Sequence, residues 1–275
     1  MTQVVMGIKD PHLDSVKLTA LIYGIGGEPV GEVELPELFY YPLRRDVINR
    51  AFLSAFTAML QPKGRDPLAG KRTSAKYWGV GYGLARVPRL PSGMARFVAS
   101  TRKGHIAFPP RNDRVIHEEV NKGERLIAIV SALAASSRIE LVRARGHVFS
   151  ASKLPIILAD DVETSYSKAK EVRGFLEKIG VWSDIERSHK KIRVRSGKGK
   201  MRGRRYVEPR SVLFILTSYS KPFAKSVRNL PGVDIATPAN LSVMHLAPGG
   251  IPGRLTAITK SALEVLSNKY KVMFI

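Results

Sequence analysis

The chain has 275 residues and no cysteine, and its 45 Lys and Arg against 23 Asp and Glu give a formal net charge of +22. The lack of cysteine excludes disulfide scaffolds and thiolate zinc sites, and no apolar run reaches the roughly 18 residues a membrane span needs. The first ten residues, MTQVVMGIKD, lack the basic-then-apolar layout of a secretion signal, and 44% apolar residues suit a globular core, so a soluble cytoplasmic protein without membrane contact is expected.

Val16 to Tyr23 and Val30 to Leu35 read as two strands of a hairpin, joined by the turn residues Gly24, Gly26 and Gly27. Pro29 breaks any dinucleotide-loop pattern at that turn, and no helical pattern follows it. Arg44 to Leu60 is predicted as a helix with Ile48, Phe52, Ala55, Phe56 and Met59 on its buried face. A second helix is predicted over Asn121–Ser136, with Leu126, Ile129, Val130 and Leu133 inward. The two helices bracket a long excursion and are expected to lie near each other.

That excursion, Lys63 to Arg114, holds 12 Lys or Arg, 2 Asp, 7 Gly and 5 Pro, with no sustained period of 3.6 or 2. Structureless stretches of this length are rare inside compact domains and tend to be functional or disordered. Further along, Pro155-Ile-Ile-Leu-Ala is a short buried-type strand. Tyr166–Ile179 is a helix carrying Ala169, Val172, Leu176 and Ile179, closed by Gly180. A second cationic segment, Arg187 to Arg210, has 11 Lys or Arg and a single Glu. Val212–Leu216 is a strand, Ser220–Leu230 a helix and Val233–Ala236 a strand. Leu255 to Tyr270 is predicted as a closing helix with Leu255, Ile258, Ala262, Val265 and Leu266 as its face. Short apolar strands alternating with helices predict an α/β fold. The expectation is a single globular domain over 1–275 with one core, a mostly parallel central sheet flanked by helices, a long extended basic loop at about 61–114 and a second basic segment at about 187–210.

Outside the two cationic windows the chain is close to neutral, with 22 basic and 20 acidic groups. Charge concentrated in this way serves a partner, because self-repulsion opposes it and the fold does not need it. The partner it suits is a phosphate backbone. In the first window Lys71, Arg72, Lys76, Arg86 and Arg89 supply cations, and Tyr77, Trp78 and Tyr82 supply rings able to stack on unpaired bases. Gly79, Gly81 and Gly83 allow close backbone approach, and Pro88 and Pro91 stiffen the path. Lys63, Arg65, Arg96, Arg102, Lys103, Arg111 and Arg114 complete its RNA-binding candidates. In the second window the candidates are Lys190, Lys191, Arg193, Arg195, Lys198, Lys200, Arg202, Arg204 and Arg205. These run nearly unbroken among glycines and end at Tyr206.

Catalytic chemistry has little support. Asp160, Asp161 and Glu163 follow a predicted strand, where a magnesium ion could bind, but no base, nucleophile or phosphate loop accompanies them. Acids capping the next helix account for them. The six histidines, His12, His105, His117, His147, His189 and His245, have no metal-ligand spacing. No catalytic residue, metal or cofactor is expected.

Several stretches resemble the family of large-subunit ribosomal protein four, in its archaeal and eukaryotic form. They are Asp66-Pro-Leu-Ala-Gly-Lys-Arg-Thr-Ser-Ala-Lys, Trp78-Gly-Val-Gly with Ala85-Arg-Val-Pro-Arg, Ile127-Ala-Ile-Val-Ser-Ala-Leu-Ala-Ala and Glu140-Leu-Val-Arg-Ala-Arg-Gly-His. Arg193-Val-Arg-Ser-Gly-Lys-Gly-Lys-Met-Arg-Gly-Arg-Arg-Tyr, Arg228-Asn-Leu-Pro-Gly-Val-Asp and Leu246-Ala-Pro-Gly-Gly continue the match in order. Pro91–Ile106 departs from the family pattern, being poorer in Gly and Arg. The resemblance implies a structural, non-enzymatic protein of the large ribosomal subunit that binds ribosomal RNA and supports assembly. It further implies a loop lining the nascent-peptide exit tunnel near its constriction, with a tip within Gly70–Arg89. Lys71, Arg72, Lys76, Trp78 and Arg86 would be the tunnel-lining candidates. The partners implied are large-subunit ribosomal RNA, neighbouring ribosomal proteins including the other constriction protein, and the nascent peptide. Two rival readings are a regulator acting on its own messenger RNA and a magnesium-dependent RNA-processing enzyme using Asp160, Asp161 and Glu163.

Overall fold

A computed structural model describes residues 3–7, 10 and 17–274. The predicted hairpin forms as β2 (Thr19–Tyr23) and β3 (Pro29–Glu34), antiparallel, after a short strand β1 (Gln3–Gly7). Val16 and His12 lie outside the described residues. Helix α1 (Arg45–Ala58) and helix α2 (Lys122–Ser136) follow, then α3 (Ile139–Ala144), β4 (Ile156–Leu158), α4 (Val162–Ser165), α5 (Ala169–Ile179) and α6 (Trp182–Lys190). The remainder comprises β5 (Arg193–Val194), β6 (Tyr206–Val207), β7 (Leu213–Ile215), α7 (Pro222–Val227), β8 (Asp234–Ala236), α8 (Val243–Leu246), β9 (Thr256–Thr259), α9 (Lys260–Lys269) and β10 (Tyr270–Phe274).

The central sheet has the order β3-β2-β4-β9-β7-β8, parallel throughout except for the hairpin edge. Parallel neighbours need crossovers over a face, so helices cover both sides. Alternate strand residues point to opposite faces. Ile157, Leu213, Ile215 and Ile258 pack with α1, α2, α8 and α9, whereas Ile156, Leu158, Phe214 and Ala257 pack with α3 to α7. The one core expected from sequence is therefore two, one on each face. Each fully buried aliphatic side chain contributes about 1.5–3 kcal/mol.

Three predicted elements are corrected. The helix expected over Leu255–Tyr270 is a central strand followed by a helix: Thr256–Thr259 pairs with both β4 and β7, and its buried neighbours outweigh the helical spacing of Leu255, Ile258 and Ala262. The buried face of α1 is Ile48, Ala51 and Ser54; Phe56 and Met59 are exposed, and Phe56 stacks on Phe52 with ring centroids 6.0 Å apart. Ala169, placed inward by the predicted periodicity, is exposed at the start of α5, whose inward residues are Val172, Phe175, Leu176 and Ile179. Gly180 closes that helix as predicted, with φ of 80°.

Helices α1 and α2 are neighbours, as expected. Arg50 pairs with Glu124 at 2.9 Å, and the Arg44 backbone N–H donates to Ser131 Oγ at 2.8 Å. The chain divides into two compact units, one made of the residues up to Phe56 and from Glu119 onward, the other of Thr57–Glu118. In the second unit no residue, all being described, is buried. The same holds of Lys191–Arg210.

Candidate nucleic-acid interface

Within Thr57–Glu118 the order comes from turns and backbone pairs. At the foot, the Glu118 N–H donates to Thr57 Oγ1 at 3.1 Å and the Arg65 N–H to the Pro110 carbonyl at 3.1 Å, so the two ends run side by side. Further along, Lys76 and Arg89 exchange both backbone hydrogen bonds, at 3.0 and 2.9 Å, which closes residues 77–88 into a separate lobe. Gly79, Gly81 and Gly83 in that lobe have φ of 93°, 92° and 62°, and a Cβ at any of them would meet nothing within 4 Å. Backbone conformation, not crowding, demands glycine there.

Tyr77 and Tyr82 are 55% and 63% exposed, and the Trp78 and Tyr82 ring centroids lie 5.9 Å apart. Val80, between Gly79 and Gly81, and Leu84, just after Gly83, stand exposed. Sequence reasoning passed over these two aliphatics. The signal for them is an apolar residue flanked by glycine where no element exists to bury it.

The predicted cations divide into braces and free groups. Arg72 pairs with Asp66 at 2.7 Å. Arg89 Nη1 donates to the Gly93 carbonyl at 2.7 Å, and Arg96 Nη1 to the Arg102 carbonyl at 2.7 Å. These three hold the segment's own turns. Lys63, Lys71, Lys76, Arg86, Arg102, Lys103, Arg111 and Arg114 have side chains in no ion pair or hydrogen bond among the described residues.

The second window is a small hairpin rather than a featureless run. Lys190 ends α6 and pairs with Glu186 at 3.2 Å, and Lys191 follows it. Strands β5 and β6 pair antiparallel, and the Arg195 N–H donates to the Arg205 carbonyl at 2.7 Å. A 3-10 turn, Lys198–Arg202, joins them, flanked by Gly197 and Gly203 with φ of 74° and 77°. Arg195 Nε braces the hairpin on the Arg204 carbonyl at 2.9 Å, and the Arg205 guanidinium lies 5.7 Å from the centre of the Tyr206 ring. Arg193, Lys198, Lys200, Arg202 and Arg204 are exposed. The window's one acid, Glu208, accepts from the Gly232 N–H at 2.5 Å.

The carboxylates singled out in the sequence do not converge. Asp160 accepts from the Ser261 N–H at 2.9 Å and from Ser261 Oγ at 2.6 Å, which caps α9, not the helix that follows Asp160. Asp161 is exposed and makes no side-chain cap. Glu163 is fully buried; it accepts from the Thr217 N–H at 2.9 Å and lies 2.5 Å from Lys221 Nζ. Burial pushes its pKa up, but the Lys221 and Thr217 hydrogen bonds prevail and hold it below the ordinary 4.5. Ligands of open α/β sheets bind at the carboxyl ends of the strands. Here both inner carboxylates at that edge are spent on the fold.

His147 is buried with Asp184, Nδ1 to Oδ2 at 2.9 Å, and Arg187 Nε donates to the same carboxylate at 2.8 Å. Burial lowers the His147 pKa below 6.5, so the imidazole is neutral and donates its Nδ1–H. Asp184 is brought to about 2 because the His147 and Arg187 hydrogen bonds outweigh the burial that would raise it. Among the described residues no group of three or more His, Asp or Glu could hold a metal ion, and no helix is long and apolar enough to cross a membrane.

Comparison with known proteins adds a family. The model of the ribosomal protein L4/L1 family matches residues 33–269. The chain is 51% identical to the large ribosomal subunit protein uL4 of Sulfurisphaera tokodaii over 251 residues, 91% of this chain and 94% of that one. It is 51% identical to the same protein of Aeropyrum pernix over 262 residues, 95% and 96% of the two chains. For Methanocaldococcus jannaschii the identity is 49% over 254 residues, 92% of this chain and all of the relative.

Proposed function

Because the chain belongs to the ribosomal protein L4/L1 family in its archaeal form, and so is a structural protein of the large ribosomal subunit in the cytoplasm and not an enzyme, we propose that its two cationic segments bind the RNA of that subunit. One observation carries this reading. Lys63–Arg114 and Arg187–Arg210 each have a formal charge of +10, and neither Lys63–Arg114 nor the part of the second segment beyond α6, Lys191–Arg210, has a buried residue, so these stretches contribute nothing to the core. Segments built in this way lower their free energy by releasing counterions from phosphate. The free Lys and Arg side chains supply bidentate and point contacts, and the Tyr77, Trp78 and Tyr82 rings supply base stacking.

The lobe at 77–88 is the part of the first segment that reaches the nascent-peptide tunnel, with Trp78 and Arg86 towards the lumen and Lys76 at the lobe's closure; of the other tunnel-lining candidates, Lys71 shares a pocket with Pro110 and Arg111 and Arg72 pairs with Asp66, and both belong to the RNA-binding part instead. The lobe's exposed rings and aliphatics, which nothing in the segment covers, suit a wall that a peptide passes. Neighbouring ribosomal proteins, including the other one at the constriction, complete the surroundings.

Binding of large-subunit RNA across a salt series tests the first claim. Changing Lys71, Lys76, Arg86 and Arg111 together to Gln lowers the slope of log K against log salt by about 0.7–0.9 for each phosphate no longer neutralised. An unchanged slope overturns RNA binding by this segment. For the tunnel, Trp78→Ala changes drug sensitivity or nascent-chain stalling while subunits still assemble. Assembly failure equal to that of a core variant such as Leu213→Ala argues against a tunnel wall.

A further inference from the structure

We propose that the foot of the Thr57–Glu118 unit is a site for one unpaired nucleotide, its base in an apolar pocket on Leu60, Val115 and Ile116 and its phosphate in the adjoining cationic pocket of Arg65 and Lys71. The proposal rests on the reading that this segment binds RNA and goes further by naming the form of RNA and the place that holds it.

Two cavities lie side by side at the foot. One, of about 500 Å³, is lined by Leu60, Val115, Ile116 and Pro110, with Lys63 and Arg114 among its charged groups. The other, of about 440 Å³, is lined by Arg65, Lys71, His105 and Asn112 among others. Pro110 and Arg111 line both, so Arg111 stands on the wall between them. The walls are held by the chain itself. The Arg65 N–H donates to the Pro110 carbonyl, and Gly64 sits so close to Asn112 that a Cβ there would lie 3.3 Å from its nitrogen. Gly70 is pressed against the Gly104 carbonyl, at φ of 82°, where no side chain fits.

Neither cavity's chemistry is spent inside the segment. Val115 is 86% exposed. Arg65 keeps its Nη1 shut from solvent without an acceptor, and Lys71 and Arg111 are in no ion pair among the described residues. Acids are present and are the weaker party. Asp66 is tied to Arg72 and to the Leu68 N–H at 3.0 Å, which leaves Asp113 beside the cationic pocket and Glu118 beside the apolar one.

The pair of cavities selects its occupant. An apolar peptide side chain fits the first cavity and leaves the cations of the second without an anion. The phosphates of a duplex suit the cations, but stacked and paired bases cannot enter the apolar cavity. An unpaired nucleotide joins a flat apolar base to an anion through one sugar, and single-stranded RNA presents its bases in that splayed form.

The test uses the full chain, a short single-stranded RNA carrying 4-thiouridine and a duplex RNA of equal length. The wild type cross-links from 4-thiouridine to the peptide around Val115. The neutral double variant Leu60→Asn/Val115→Asn loses that cross-link and binds the single strand about five-fold or more weakly, with duplex affinity within two-fold of wild type. Both side chains are substantially exposed, and an unchanged circular dichroism spectrum checks that the variant is folded. Equal losses on both RNAs, or a cross-link and affinity that do not change, overturn the nucleotide site; in the second case the apolar face is left to a protein neighbour. A wild type that binds neither RNA overturns the RNA-binding reading itself, which is a separate result.

Discussion

Glu163 shows how burial redirects a group that sequence presents as free acid. Its carboxylate is fully enclosed and its charge answered by Lys221 and Thr217. Replacing it by Gln keeps the shape and removes the charge, leaving Lys221 without its anion, so Glu163→Gln destabilises the fold by about 1–3 kcal/mol in urea unfolding. His147 makes a pH prediction. Its folded pKa is depressed by burial, so its contribution to stability is full above the ordinary 6.5 and is lost as pH falls through that value towards the lower pKa of the folded state. Thermal midpoints measured from pH 8 to pH 5 therefore fall for the wild type and fall less for His147→Asn. At this scale the candidate cations were legible, because solvated charge leaves its mark in composition. Their partners were not. That Arg89 and Arg96 turn back onto carbonyls of their own segment depends on turns at Gly93 and Arg102 that have no period to read.

Elements were legible where burial is one-sided. The turn after Gly24, the stop at Gly180 and the strand at Ile156–Leu158 follow from local chemistry that the packed fold reinforces. Strand β9 was illegible, because its Ile258 and the preceding Leu255 stand at a helical spacing from Ala262, while what decides the matter is the slot between β4 and β7. The Thr57–Glu118 unit was legible in a different way: missing periodicity corresponds to missing burial. Two predictions belong here. Because no core holds the Thr57–Glu118 unit, hydrogen exchange on the free protein protects α2, whose residues Ala128–Ser136 are all buried, and leaves amides 71–89 fast; strong protection of 71–89 without RNA would contradict this. Changing Gly79, Gly81 and Gly83 together to Ala strains three left-handed positions in an unpacked lobe. The thermal midpoint stays within about 1 °C, an effect under roughly 0.5 kcal/mol, while affinity for large-subunit RNA falls.

The whole molecule divides by charge as well as by burial. Two windows with +10 each are almost wholly unburied, Ser188 of α6 excepted, and a nearly neutral remainder carries both cores. The two windows differ in kind. The first mixes rings, glycine and free cations around a lobe closed at Lys76 and Arg89; the second is a short hairpin whose turn is almost all cation and glycine. The difference suits different contacts, stacking with threading for the first and phosphate clamping for the second. The measurement that tests this division most directly is a density map of the archaeal large subunit containing this chain. The account predicts RNA phosphates within hydrogen-bonding distance of the free cations of Lys63–Arg114 and of the Lys198–Arg202 turn, with the 77–88 lobe reaching the tunnel lumen. Both cationic segments lying against solvent, with the near-neutral remainder making the RNA contacts, would contradict it.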